Sequence, residues 1–333
     1  MVPSKKLVSV GALLMLTLAA CGEAGSSGGT GATPSQTVTA SLAACAPLAG
    51  DRLVVLDDDK KLQTVDNIIP AINAAAAQPA MIAALDAASA VLDTPTLVGL
   101  NKEVDVDRQT SSQAAKAFVE SADLKIDASS GSGKVVIGAA NFSESATLAE
   151  IYAEALRTAG YDATVRTIGN RETYLPALQK GELTVVPEYV GTLTEFLNKK
   201  ANGADAAPLA SGDLAATTKA LTDLGKDAGL VFGAPAAAAD QNAFAVTTAF
   251  AEEHGVATLS ELAATCGGII LGGPPECPER PFCQPGLVGT YGLEVTEFTS
   301  LDAGGPLTKS ALQKGEIALG LVFSSDAAFA TTG

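Results

Sequence analysis

The hexapeptide Ala177-Leu178-Gln179-Lys180-Gly181-Glu182 recurs as Ala311-Leu312-Gln313-Lys314-Gly315-Glu316. Each copy reads as a helix end, a glycine stop and then an apolar strand. Eight residues beyond the glycine each strand closes on an aromatic, Tyr189 in the first copy and Phe323 in the second. Two copies of one such unit in a chain of 333 residues, longer than a single core usually holds, predict two equivalent lobes. Open α/β sheets bind ligands outside the carboxyl ends of their strands, so the two rings are expected at equivalent places, one per lobe. Coincidence in an Ala-rich chain, with both rings in the core, is the alternative.

The flanking sequence extends this pattern. Val135-Val136-Ile137 is a short apolar strand; Asn141 and Ser143 are candidate helix caps; Leu148, Ile151, Tyr152, Ala155 and Leu156 then follow at helical spacing. Ala163 to Ile168 reads as a second strand, a helix surrounds Tyr174 to Leu178, and Leu183 to Pro187 reads as a third strand. That alternation begins an open, doubly wound parallel sheet. Ala243 to Val246, Ile269 to Leu271, Val295 to Phe298 and Ile317 to Phe323 form a second strand series, with helical stretches between. The expected fold is α/β, two lobes with a ligand cleft between them.

Composition removes several function classes. Lys plus Arg is 21 against 37 Asp plus Glu, a net charge of −16, which excludes binding nucleic acid through its phosphates. The single histidine, His254, leaves no room for a multi-His metal site, and neither a metal nor a cofactor is expected. His254 lies in a charged helix end and is expected to be solvated. No G-x-S-x-G follows an apolar strand as a nucleophile elbow would, the one match lying in the Gly/Ser stretch at Gly25 to Gly29, so an enzyme is not expected. Trp is absent and aromatics make up 5% of the chain, so any aromatic-lined site must draw on a few identifiable rings.

The first residues read as an export signal. Lys5 and Lys6 precede an apolar run from Leu7 to Leu18, which meets Leu18-Ala19-Ala20-Cys21. The run is too short to span a bilayer. A cysteine at the cleavage point resembles a bacterial lipoprotein signal, with Cys21 lipidated. The Gly, Ser, Thr and Ala stretch that follows reads as a flexible tether. Exported cysteines can pair, and Cys45, Cys266, Cys277 and Cys283 allow three pairings.

From Lys134 to Gly333 the chain resembles the substrate-binding proteins of ABC importers for glycine betaine, choline and related osmoprotectants. The resemblance rests on Val135 to Ser145 (VVIGAANFSES), Gly169 to Leu183, Pro187 to Leu193 (PEYVGTL), Asp240 to Val246, Gly272 to Leu287, Leu301 to Thr308 and Val322 to Asp326 (VFSSD). It implies a type II periplasmic-binding-protein-like fold, capture of a quaternary amine without catalysis, permease subunits as partners and a lipid anchor at the outer face of the membrane. A monomer is expected. A ligand-sensing or scaffold lipoprotein of the same fold is the alternative. By motif position Tyr189 resembles a cage tyrosine with Thr192 as its polar neighbour, and Phe244 and Phe323 look like further rings. Aromatic faces suit a cation that donates no ordinary hydrogen bond. Arg280 aligns with an arginine that grips a ligand carboxylate, and Asn141, Ser145 and Asp240 complete the implied site. Core packing for Phe244 and Phe323, and a surface role for Arg280, are the alternatives. Relatives often carry Lys and Gln where this chain has Ala140 and Ser145, which disfavours a carboxylate-bearing ligand.

The order of the matched segments is unusual. Leu53-Val54-Val55-Leu56-Asp57-Asp58 resembles a strand that follows the VFSSD-like segment in the family, yet here it precedes everything else. We read this as a circular permutation, joined through Ser129-Ser130-Gly131-Ser132-Gly133, with a truncated tandem fusion as the alternative. The expected division is a signal peptide at 1–20, lipidated Cys21 and a tether at 21–49, a first lobe at 50–238, a second lobe at 239–326 and a tail at 327–333. Within the first lobe, 50–125 matches the family's C-terminal part, 126–133 is the linker and 134–238 matches its N-terminal part. One of two covalent crossovers between lobes is expected to be lost. Cys277 and Cys283, six apart in a Pro-rich loop, should pair locally, leaving Cys45 and Cys266 to bridge in place of the missing crossover.

Overall fold

The computed structural model describes residues 42–122, 124–128 and 131–329. Ten strands follow in chain order: β1 Leu53–Leu56, β2 Ile68–Asn73, β3 Lys134–Ala140, β4 Asp162–Gly169, β5 Val185–Tyr189, β6 Leu230–Phe232, β7 Asn242–Thr247, β8 Ile269–Gly273, β9 Val295–Ser300 and β10 Leu319–Phe323. They form two five-stranded sheets, β4-β3-β5-β2-β6 and β1-β7-β10-β8-β9. Read from opposite ends, the two sheets have one topology. Three neighbouring strands run parallel in each (β4, β3, β5 and β9, β8, β10), and two antiparallel strands complete it (β2, β6 and β7, β1). The sheets are thus mixed rather than wholly parallel. Their central strands are buried on both faces, as the continuous apolar runs of β2 and β5 require.

The hexapeptide repeat is the structural repeat. Helix Arg171–Gln179 and helix Pro306–Gln313 end on Lys180 and Lys314. Gly181 and Gly315 follow at φ of 79° and 69°, a left-handed turn that a side chain would strain. In each copy the glutamate N–H returns to the alanine carbonyl at 2.9 Å, Glu182 to Ala177 and Glu316 to Ala311. β5 and β10 then run five residues each and close on Tyr189 and Phe323.

Strand β1 corrects the expected lobe boundary. Leu53 to Leu56 pairs antiparallel with β7, so it belongs to the second sheet, and the boundary falls in the segment after it rather than near residue 50. The chain therefore crosses twice between lobes, between β1 and β2 and between β6 and β7, and no crossover is lost. The two crossings lie side by side: Asn67 and Ala239 form an antiparallel bridge, and the Asp240 N–H donates to the Asp66 carbonyl at 3.1 Å. Both expected disulfides are present, Cys45–Cys266 and Cys277–Cys283. Cys45 and Cys266 both pack in the second lobe's core beside Val246 and Leu262. Their bridge ties the segment leading into β1 to its own lobe instead of joining the two lobes. The lone histidine is not fully solvated: the His254 ring centroid lies 4.4 Å from that of Phe250, the planes tilted by 57°, and its Nδ1 lies 3.7 Å from Cys45 Sγ.

Candidate functional site

Between the lobes lies a cleft of about 620 Å³, lined from both sides. Three of the rings that line it stand at the carboxyl end of a parallel strand. Phe142 follows β3, Tyr189 ends β5 and Phe323 ends β10. Phe142 stands between the others, with its centroid 6.5 Å from Tyr189 and 5.6 Å from Phe323. First-lobe rings thus meet a second-lobe ring across the cleft.

A buried acidic layer backs these rings. Tyr189 donates its hydroxyl to Glu144 at 2.6 Å, and burial followed by Glu144's charge holds that hydroxyl well above the usual phenol range. Glu144 also accepts from Asn101 Nδ2 at 2.6 Å and from the Ser325 hydroxyl at 2.5 Å. Asp240 lines the cleft beside this group, its Oδ1 accepting from the Ser325 N–H at 2.9 Å. Burial, reinforced by Glu144, pushes Asp240 well above the ordinary carboxylate range.

The buried Arg171 and one of the helix starts at the cleft are already engaged. Arg171 forks onto Glu188, Nε to Oε1 at 2.9 Å and Nη2 to Oε2 at 2.6 Å, and Nη2 reaches Thr192 Oγ1 at 2.9 Å. The Tyr174 hydroxyl adds a third donor to Glu188 at 2.8 Å. Helix Val190–Asn202 starts at the cleft, but Asp66 takes its free N–H groups, Gly191 at 2.8 Å and Thr192 at 3.0 Å. Gly191 permits this approach, since a Cβ there would stand 2.2 Å from the Val65 carbonyl oxygen. Burial pushes the Asp66 carboxyl up to about 7 despite those bonds and Arg171. Helix Ser143–Thr158 starts beneath Phe142 without a side-chain cap, so neither Asn141 nor Ser143 plays that part, and Glu144 occupies its first turn. Lys199 and Lys200 line the cleft from the far end of helix Val190–Asn202, about 15–17 Å along its axis from Tyr189.

The expected site residues divide accordingly. Tyr189, Thr192, Asn141, Asp240, Arg280 and Phe323 all line the cleft. Phe244 does not. It is 1% exposed, pairs with Leu56 and Leu321 in the second sheet and packs in that lobe's core, two residues deeper than Asn242, which reaches the cleft. Ser145 is also buried, its hydroxyl accepting from the Ala140 N–H at 2.9 Å, while Ala140 itself faces the cleft. Arg280 spans the lobes: Nη2 binds Glu172 at 2.9 and 3.1 Å and lies 3.4 Å from Glu276. Cys21 lies outside the described residues. The residues that sequence reasoning missed are Phe142, Glu144, Asp66 and the Arg171–Glu188 pair. Phe142 was open to the same strand-end argument as Tyr189 and Phe323, because it stands two residues past an apolar strand.

The family model described as the substrate binding domain of an ABC-type glycine betaine transport system matches residues 37–121 and 133–333. Among solved structures, OppA of Haemophilus influenzae in complex with RPPGFSPFR shares 13% identity over 54% of this chain and 43% of its own, with a TM-score of 0.29. NikA of Brucella suis in complex with Fe(III)-EDTA shares 14% over 59% and 48%, also at 0.29. A mannohexaose-bound periplasmic oligopeptide-binding protein of Thermotoga maritima shares 12% over 55% and 47%, at 0.24. The chain spans under half the length of each of these three. With the family model matching well over half of its residues, the chain belongs to the substrate-binding domains of ABC-type glycine betaine transport systems.

Proposed function

We propose that the protein is an extracytoplasmic solute-binding lipoprotein, anchored through Cys21, that captures a quaternary-ammonium osmoprotectant and delivers it to the permease of an ABC importer. The observation that carries this reading is the triad of rings, Phe142, Tyr189 and Phe323, gathered from two lobes around one cleft. A cation held against an aromatic face gains roughly 0.5–2 kcal/mol per ring, so three rings supply a large part of the ~8 kcal/mol of micromolar binding. The charge inventory favours choline over glycine betaine. Ala140 stands where relatives often carry a lysine, Arg171 is committed to Glu188, Arg280 is held by Glu172 and Glu276, and Asp66 takes the free N–H groups of helix Val190–Asn202, so a ligand carboxylate meets no unneutralised arginine at the cleft. The test is a thermal-shift panel of choline, glycine betaine, carnitine, proline, ectoine and neutral sugars. Ligand at about a thousand times Kd stabilises by roughly 4 kcal/mol, and choline should give the largest shift. Sugars shifting the transition while every quaternary amine is silent would overturn the reading.

We also propose that the chain is a circular permutation of its family. The family model matches in two pieces, 37–121 and 133–333, and the junction lies between helix Ser111–Ser121 and β3. A rearranged chain with 134–326 ahead of 45–121 should fold with the same two disulfides and the same ligand preference. Failure of that chain to fold would favour the tandem-fusion alternative.

A further inference from the structure

Glu144 and Asp240 come from different chain segments and meet where the lobes join. Glu144 sits in the first turn of helix Ser143–Thr158, and Asp240 ends the second crossing. Asn101 arrives from helix Thr94–Asp105 and Ser325 from just after β10. Ser325 bridges the two carboxyl groups, its N–H donating to Asp240 Oδ1 at 2.9 Å and its hydroxyl to Glu144 Oε2 at 2.5 Å, and two carboxyls buried this close with no cation between them favour sharing one proton. The donors around them show which one. Glu144 Oε1 accepts from Tyr189, and its Oε2 from Asn101 and Ser325, which is the surrounding of an anion. Asp240 Oδ1 accepts from the Ser325 N–H and the Ser324 hydroxyl, and among the described residues no donor reaches its Oδ2, which makes Asp240 the member to hold the proton. Facing this pair are Tyr189 and a third carboxyl, Asp66. The nearby cation Arg171 is committed to Glu188, and among the described residues no lysine or arginine hydrogen-bonds either member.

Only Asp240 of this pair lines the cleft; Glu144 lies behind the Tyr189 ring. We propose that capture of the cationic ligand expels the proton from Asp240, which then serves as the ligand's counter-ion. This rests on the quaternary-ammonium reading above and adds to it a stoichiometry. The charge balance gives the physical reason. Before capture the pair carries one negative charge and one proton. Afterwards it carries two negative charges and one bound cation, so the net buried charge is unchanged and the released proton passes to solvent. A neutral or zwitterionic ligand leaves no such compensation and should not displace the proton. Glycine betaine is therefore disfavoured twice, by the lack of an unneutralised arginine for its carboxylate and by its weaker demand for a counter-ion.

The test is a calorimetric titration of the full chain with choline at pH 7 in buffers of widely different ionisation enthalpy. The observed enthalpy should vary linearly with that of the buffer, with a slope corresponding to release of between about half and one proton per choline. Affinity should rise with pH, by up to tenfold per unit. Glu144→Gln, which leaves Asp240 free to ionise, should bring the release close to zero. Asp240→Asn should abolish the release and weaken choline binding at least tenfold. Normal choline binding with identical enthalpy in every buffer would overturn the proton coupling and leave the quaternary-ammonium reading standing. No heat and no thermal shift with any quaternary amine would overturn both.

Discussion

Phe142 and Phe244 are two phenylalanines with opposite expected consequences when truncated. Phe142 is half-buried at the cleft and touches one ring from each lobe, so Phe142→Ala removes the middle of the cage. One aromatic face in a desolvated site is worth about 1–2 kcal/mol to a bound cation, and tenfold in affinity is about 1.4 kcal/mol. Choline binding should weaken roughly 5- to 30-fold, while the melting temperature of the ligand-free protein moves little. Phe244 is fully buried against Leu56 and Leu321 and does not reach the cleft. Phe244→Ala leaves a cavity in the second lobe that costs about 3–5 kcal/mol, a fall in Tm of roughly 10 °C. Its effect on Kd, measured well below that lowered transition, should stay within about threefold. Titration calorimetry at 15 °C and thermal unfolding without ligand give the four numbers. A crossed result, with Phe244→Ala abolishing affinity and Phe142→Ala leaving it intact, would refute the assignment of the cage to strand ends.

Other consequences are equally direct. Tyr189→Ala should weaken choline binding at least tenfold without unfolding the first lobe; unchanged affinity would remove Tyr189 from the site. The Cys45–Cys266 bridge spans a sequence separation of 221 residues, and its loss through Cys45→Ser with Cys266→Ser should cost about 5 kcal/mol in the chain-entropy model. Because both half-cystines lie in one lobe, ligand affinity in the surviving folded protein should hold; a large affinity loss would show that the bridge governs lobe closure after all. Asp66 gives a pH signature. Its folded pKa of about 7 lies above the ordinary 3.8, so the folded state holds the extra proton between those values. Its stabilising contribution is present near pH 4, is lost as pH rises toward 7 and stays lost above that, with a size on the order of 4 kcal/mol. Urea unfolding at pH 5 and pH 8 should therefore favour Asp66→Asn over the native protein more strongly at pH 8; the reverse ordering would mean Asp66 is ionised throughout.

The strands and the strand-end rings were legible because their signals are local. A glycine stop and an apolar run of five residues place Tyr189 and Phe323 without reference to anything distant. What escaped depends on partners far along the chain. β1 belongs to the second sheet because β7, nearly two hundred residues later, offers the antiparallel edge. Arg280 was read as free to hold a carboxylate because nothing nearby reveals Glu172, 108 residues away. Phe244 looked like a cage ring because a motif gives the strand but not depth along it. Glu144 stood in a quoted motif, yet its meaning arises only where Asp240, Ser325 and Asn101 converge on it. Local patterning writes the scaffold into the sequence, while the electrostatics of the cleft are assembled by topology.

A crystal structure of the protein with choline addresses the central claim most directly. The account predicts the trimethylammonium group within about 6 Å of the ring centroids of Phe142, Tyr189 and Phe323, with Asp240 as the nearest carboxylate. Choline seated instead against Arg280, or a cleft that stays empty at saturating choline, would contradict it.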